Sequence, residues 1–231
     1  MDTHLQHEIE RLKRDMLAMG TLVEENLRQA VHAVLQKDSS LAVQVAERDT
    51  PIDLREVDIE EECLKNLALY QPVAKDLRFI IGVLKLNGDL ERIGDKAVKI
   101  AERADDLSVL PSEASPDFRP MADRVLRMLK ESLDALVHLD EARARRVCEM
   151  DDEMDQLYRT QVQQIKEGLR KFPAAMEGWL AGLTVARAFE RIADHCTNIA
   201  EDVIYQIKGV IVRHEASRKA AAGSGSGVGR P

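Results

Sequence analysis

The chain is poor in residues that mark several common protein classes. Only 3% of its 231 residues are aromatic, and its three cysteines lie far apart without a CxxC pair. Neither a disulfide framework nor a thiolate zinc site is therefore indicated, and we expect the cysteines to be small helix residues in a reducing compartment. Glycine and proline are sparse outside a few clusters, which favours long helices.

Long apolar runs and a basic charge excess are also missing. No stretch approaches the roughly 20 apolar residues of a membrane-spanning helix. The N-terminal residues lack the basic and apolar regions of a signal peptide. The net charge of -8 disfavours general nucleic-acid binding, which needs a basic surface. We expect a soluble, cytoplasmic protein with no nucleic-acid partner.

What the chain does contain is helical periodicity. Apolar residues recur at spacings of three and four from Leu5 to Val34, which predicts an amphipathic first helix. Asp38 is the expected N-cap of a second helix, which holds Leu64 among its apolar positions and has a kink or short break at Thr50–Pro51. A third helix follows Pro72.

The second half of the chain repeats this plan. A fourth helix is predicted from about Asp117 to Leu139, and Asp140 is expected to cap a fifth that ends at Phe172–Pro173. A sixth helix follows, with Trp179 packed at its start. We predict an all-α fold of two three-helix bundles joined end to end and related by a pseudo-twofold axis. The domains are residues 1–110 and 117–216, with a linker at 111–116 and a disordered Gly/Ser tail at 217–231.

An internal repeat supports this division and carries acidic residues with it. The segment Glu91–Asp95 (Glu-Arg-Ile-Gly-Asp) returns 99 positions later as Glu190–Asp194 (Glu-Arg-Ile-Ala-Asp). The pair Asp49 and Asp53 returns 102 positions later as Asp151 and Asp155. A fixed period of this length indicates two copies of one supersecondary unit.

In each half, one acid pair lies on the second helix and one on the third. These helices are expected to be antiparallel neighbours, so four carboxylates can converge: Asp49, Asp53, Glu91 and Asp95 in the first half, and Asp151, Asp155, Glu190 and Asp194 in the second, with Asn198 nearby. Oxygen ligands of this kind suit Mg, Ca, Mn or ferric iron. A solvated helix face stays open as the alternative, although like charges four residues apart repel.

Other chemistry finds little support in the sequence. The ferritin-like di-iron signature needs Glu-x-x-His, which does not occur in this chain. No nucleophile motif or nucleotide-binding loop is present, so we expect no enzymatic activity. His195 is expected to be a partly exposed surface residue.

Three segments together resemble one known family. Tyr70–Arg78 (Tyr-Gln-Pro-Val-Ala-Lys-Asp-Leu-Arg), Glu91–Asp95 and Ala186–Glu201 are similar to the corresponding segments of the PhoU phosphate-signalling regulators. The resemblance covers about residues 1–216. It implies multinuclear metal clusters, of iron or zinc and sometimes Mg or Mn, on the acid pairs named above. The family often has His and Asn where this chain has Lys96 and Lys99, so the first cluster is expected to be smaller or weaker.

The resemblance also implies a function. PhoU-like proteins are negative regulators of phosphate uptake and of phosphate-starvation signalling. They act as adaptors between the ATP-binding subunit of the phosphate ABC transporter and a sensor histidine kinase. A homodimer that meets the membrane only through its partners is expected. A metal-storage or oxidase bundle and a purely structural helical spacer stay open as alternatives.

Overall fold

A computed structural model describes residues 3–111 and 115–209 of the chain. These residues contain no strand and form six long helices, which confirms the predicted fold class: α1 (Thr3–Gln36), α2 (Ser39–Tyr70), α3 (Ala74–Ala101), α4 (Arg119–His138), α5 (Glu141–Lys171) and α6 (Met176–Lys208). None of them is apolar and long enough to cross a membrane. The predicted tail at 217–231 and part of the predicted linker lie outside the described residues.

The predicted caps form at corresponding helix starts in the two halves. The side chain of Asp38 accepts a hydrogen bond from the backbone N–H of Ser40 at 2.9 Å, and Asp140 accepts one from the N–H of Arg143 at 3.1 Å. Each satisfies a backbone donor that the first helical turn leaves free, a contribution of about 1 kcal/mol.

The two expected proline breaks differ in outcome. Pro173 follows the end of α5, as predicted, whereas α2 continues through Pro51, so that of the kink or short break expected there the break is wrong. Proline inside a helix removes one backbone hydrogen bond. The fully buried side chains of Val45 and Ile52, on the core face of α2, offset that loss by holding both sides of the proline against the bundle.

The hydrophobic core matches the sequence periodicity on α1 but departs from it on α2 and at Ile207, near the end of α6, which is exposed. The apolar residues of α1 from Leu5 to Val34 that set the pattern are all buried. Leu64 was placed with the apolar positions of α2 but is 53% exposed, while Cys63 and Asn66 are buried instead. The core face of α2 follows Val45, Ile52 and Ile59, and Leu64 lies on the opposite side of the helix.

The two bundles lie side by side, which corrects the expected end-to-end arrangement. In each bundle all three helices contact one another, and α3 also packs along α6. Gly82 allows this approach, because a Cβ there would overlap the side chain of Gln206. At the start of α6, Trp179 is buried against Gly168, as predicted for this residue. The two bundles meet mainly along α3 and α6. The other acid-bearing helices, α2 and α5, each pack within their own bundle.

Candidate functional site

Four of the predicted carboxylates come together where α2 crosses α3. We call Asp49, Asp53, Glu91 and Asp95 the first cluster. Asp49 packs closely against α3, since a Cβ at Gly94 would lie 2.8 Å from its Oδ1 atom. That oxygen is buried and has no hydrogen-bond partner within the described part of the chain. The glycine in Glu-Arg-Ile-Gly-Asp is therefore what lets the Asp49 carboxylate sit against α3.

The carboxylates of the first cluster repel one another. Burial, together with the charges of Asp53, Asp95 and Glu91, raises the pKa of Asp49 to about 6. Burial and the neighbouring charge of Asp95 also raise the pKa of Glu91. Ionising Asp49 and Glu91 at neutral pH therefore costs free energy unless a cation compensates.

A fifth acid joins the first cluster and was not among the predicted site residues. Burial is the largest cause of a raised pKa at Glu56, and the charges of Glu60 and Asp53 raise this pKa as well. Glu56 also adds to the raised pKa of Glu91. The signal was present in the sequence, since Glu56 continues the acidic stripe seven residues after Asp49, but no equivalent exists in the second half, where Tyr158 takes its place.

The second cluster repeats the arrangement on α5 and α6, with Asp151, Asp155, Glu190 and Asp194. Burial, together with the charges of Asp194 and Asp155, raises the pKa of Asp151 to about 6. Burial and Asp194 also raise the pKa of Glu190. Charge coupling between the acid pairs of neighbouring helices therefore occurs in both halves.

Arginines distinguish the second cluster from the first. Arg191 lies 3.1 Å from Asp194 and 3.6 Å from Glu190, and Arg159 lies 2.8 Å from Asp155. Among the residues described, the four carboxylates of the first cluster have no ion pair of this kind, and neither Lys96 nor Lys99 forms one. Among the residues described, direct neutralisation by side chains is therefore found in the second cluster and not in the first.

Two residues beside the second cluster point towards the other bundle. His195 lies with its Nδ1 atom 2.8 Å from the Oδ1 atom of Asp89, and Asn198 donates to the same oxygen at 3.4 Å. Asp89 is only 5% exposed. His195, expected as a surface residue, is thus half-buried in a polar contact between α3 and α6. Asp89 was missed because a single acid on an apolar helix face carries no recognisable spacing.

The family profile described as PhoU domain matches residues 16–104 and residues 118–203. The two matches together span most of the chain, and each contains one acidic cluster. The chain belongs to the PhoU family.

Relatives and solved structures agree with this membership. A phosphate-specific transport system accessory protein PhoU homolog of Pseudomonas putida is 39% identical, over 93% of this chain and 85% of its own length. The Escherichia coli accessory protein PhoU is 34% identical, over 90% and 86%. The crystal structure of PhoU from Pseudomonas aeruginosa superposes with a TM-score of 0.85 at 39% identity, covering 89% of this chain and 99% of that one.

A PhoU fold with two such clusters raises the question of whether its residues fit a metal ion. The donors are carboxylate oxygens, which suit hard cations, and the buried, unpartnered Oδ1 atom of Asp49 is available as a ligand. Within residues 3–111 and 115–209, however, no three His, Cys, Asp or Glu side chains are already gathered closely enough to hold a metal. The donor chemistry therefore fits, and the carboxylates would have to draw closer or share the ion with water. Zinc, which favours nitrogen and sulfur ligands, fits this set of carboxylate oxygens less well.

A separate groove lies away from both clusters. It has a volume of about 280 Å³ and is lined mainly by apolar residues of α1, α3 and the end of α4, including Ile9, Met16, Phe79 and Val137.

Burial raises the pKa of the Cys63 and Cys148 thiols to about 12, so neither is an activated nucleophile. These thiols therefore behave as the small packing residues that the sequence predicted.

Proposed function

We propose that this chain is a non-enzymatic negative regulator of phosphate uptake and phosphate-starvation signalling. Its relatives carry the name of accessory proteins of phosphate-specific transport systems, and membership of their family supports a regulatory role in phosphate transport. The finer part of the proposal is an adaptor role in the cytoplasm, in which the chain contacts the ATP-binding subunit of a phosphate ABC transporter and a sensor histidine kinase. A homodimer belongs to the same proposal.

The observation that carries the proposal is the pair of acidic clusters at corresponding places in both PhoU repeats. Carboxylates with raised pKa values, such as Asp49 and Asp151, are found more often at functional sites than elsewhere. We propose that each cluster binds one or more hard cations, such as iron, Mg or Mn, through Asp49, Asp53, Glu91 and Asp95 and through Asp151, Asp155, Glu190 and Asp194. Bound cations would remove the repulsion and fix α2 against α3, and α5 against α6.

The test is complementation of a strain from which the gene has been deleted. Deletion should switch on phosphate-starvation genes in high-phosphate medium, and the wild-type chain should silence them again. A quadruple variant, Asp49→Asn, Asp95→Asn, Asp151→Asn and Asp194→Asn, should fail to do so. A control with Asp105→Asn and Glu149→Gln changes two exposed acids outside the clusters and should repress like the wild type.

Pull-down of the wild-type chain from the same cells separates the adaptor role from metal storage. Recovery of the transporter subunit or the kinase with the wild type, and its loss with the quadruple variant, supports the adaptor role. If the deletion leaves the starvation genes silent and neither protein is recovered, the adaptor proposal is wrong. Metal content that then falls in the quadruple variant would favour metal storage.

A further inference from the structure

The outer face of α2 carries an apolar stripe that nothing in the described residues covers. Val43, Leu54, Val57 and Leu64 lie on one side of the helix, opposite the core face. Their exposed fractions are 61%, 64%, 50% and 53%. From Val43 to Leu64 the stripe runs for about 30 Å at the helical rise per residue. Aligned apolar side chains over such a length mark an interaction surface more often than scattered ones do.

The second repeat supplies an internal control for this stripe. At the equivalent positions on α5, 102 residues later, the chain has Arg145, Gln156, Arg159 and Lys166, all exposed. The two helices bury the same kind of face and carry the same acid pairs, yet only α2 has leucine and valine on its outer side. The fold therefore does not require apolar residues there, and the stripe of α2 needs an explanation outside the folding of the bundle.

Charges beside the stripe restrict what can cover it. Exposed acids flank it on both sides, Glu47 and Asp58 on one and Glu60 with the cluster residue Asp53 on the other, and Glu61 lies within it between Val57 and Leu64. Arg48 and Arg55 are directed towards α1, where they pair with Glu25 and Asp15, and the charge of Lys65 is paired with Glu62 of α2 itself. An apolar stripe between acidic borders is complementary to an amphipathic helix that has leucine-like residues between lysines or arginines.

The other occupants fit less well. If a second copy of the chain were placed with α2 against α2, the acidic borders of the two copies would face and repel one another. An anionic membrane surface would be repelled by the same acids. We propose that the stripe formed by Val43, Leu54, Val57 and Leu64 is a docking surface for a basic amphipathic helix of a partner protein. The proposal goes beyond the adaptor function, which assigns no surface to any partner.

The experiment uses the full chain and a synthetic helix of about five turns, made of leucine and lysine with one apolar face. Fluorescence anisotropy measures its binding to the wild type, to Leu54→Ser/Leu64→Ser and to the matched control Gln156→Ser/Lys166→Ser. Because all four positions are exposed, melting temperatures should be unchanged. The wild type and the control should bind alike, and the leucine variant should bind at least about tenfold more weakly. A charge variant, Glu47→Lys/Asp58→Lys, should also weaken binding.

Three further probes decide between occupants. A leucine/glutamate peptide of the same pattern should not bind, and equal binding would overturn the charge argument. Sedimentation at increasing concentration reports self-association; a dimer that disappears in the leucine variant, without peptide binding, would assign the stripe to a second copy. Binding of the wild type to phosphatidylglycerol vesicles, lost in the leucine variant, would assign it to a membrane. Equal peptide binding by the leucine variant, or none by the wild type, also overturns the proposal.

The adaptor function and the docking surface can fail separately. If deletion of the gene leaves starvation genes silent but the peptide results hold, the surface stands and the adaptor role falls. If the deletion strain responds as expected and the leucine variant restores repression with unchanged peptide binding, the adaptor role stands and the surface falls.

Discussion

The two acidic clusters share a backbone plan but differ in how their charge is compensated. In the first, Asp49 is pressed against Gly94 and its buried oxygen has no partner. In the second, alanine replaces that glycine, and Arg191 and Arg159 pair with three of the four carboxylates. A repeat thus conserves where the acids lie, while neighbouring residues set how much negative charge is left for a cation. On this ground the first cluster has the greater need for one.

The largest expected effect concerns a contact between the two halves that has no counterpart at the equivalent position of the repeat. Asp89 of the first half holds His195 and Asn198 of the second, whereas the repeat equivalent of Asp89 is Ala188. Asp89→Ala should lower the free energy of unfolding by about 2 kcal/mol, because two half-buried polar groups lose their partner. Chemical denaturation measures this. Asp89→Asn keeps an acceptor oxygen and should lose less than half as much; equal losses would contradict the hydrogen-bonding role.

An intermediate effect of opposite sign is expected for Asp49. Its folded pKa of about 6 exceeds the value of 3.8 in an unperturbed chain, so the folded state holds the proton more tightly between these values. The free energy of unfolding therefore falls as the pH rises through this range and stays lower at neutral pH. Asp49→Asn avoids that loss and should be about 1 kcal/mol more stable at neutral pH in cation-free buffer, after allowance for partial exposure.

Near pH 4 the same variant should match the wild type, because the wild-type carboxyl is then protonated as well. Thermal unfolding at both pH values, with chelator present, gives the comparison. Asp58→Asn, an exposed position on the same helix, serves as the control and should show no such pH-dependent difference. A destabilised Asp49→Asn at neutral pH would show that burial and repulsion do not govern this group.

The smallest effect should come from making the second cluster resemble the first. Arg191→Gln removes the cation beside Glu190 and Asp194. With chelator present at neutral pH, we expect the free energy of unfolding of this variant to be roughly 0.5 kcal/mol below that of the wild type, since exposed ion pairs contribute little. Affinity for Mn²⁺, followed by calorimetry, should rise, because less positive charge opposes the ion. A fall in affinity would indicate that Arg191 orients the carboxylates and does not compete with the cation.

The sequence predicted the six helices, the α1 core and both acid groups because each rests on a period that a helix imposes. Asp49 and Asp53 share a face at a spacing of four, and the repeat placed Glu91 and Asp95 beside them. The sequence missed contacts between elements far apart in the chain. Asp89 with His195, and the side-by-side packing of α3 on α6, depend on tertiary contact, which periodicity does not encode.

Two local errors have the same origin. Leu64 was assigned to the apolar positions of α2 from its hydrophobicity, but the core face is set by Val45, Ile52 and Ile59, and Leu64 lies opposite. Proline was expected to interrupt α2 by its local chemistry, but packing on both sides of Pro51 keeps the helix continuous. In both cases a local property was overruled by which side of the helix meets its neighbours.

Metal content per chain, measured by elemental analysis of protein purified without chelator, tests the central claim that both clusters bind cations. The comparison is between the wild type, Asp49→Asn/Asp95→Asn, Asp151→Asn/Asp194→Asn and the quadruple variant. Each double variant should lose the metal of its own cluster and keep the other's, and the quadruple variant should lose nearly all. Equal metal content in the wild type and the quadruple variant would contradict the account.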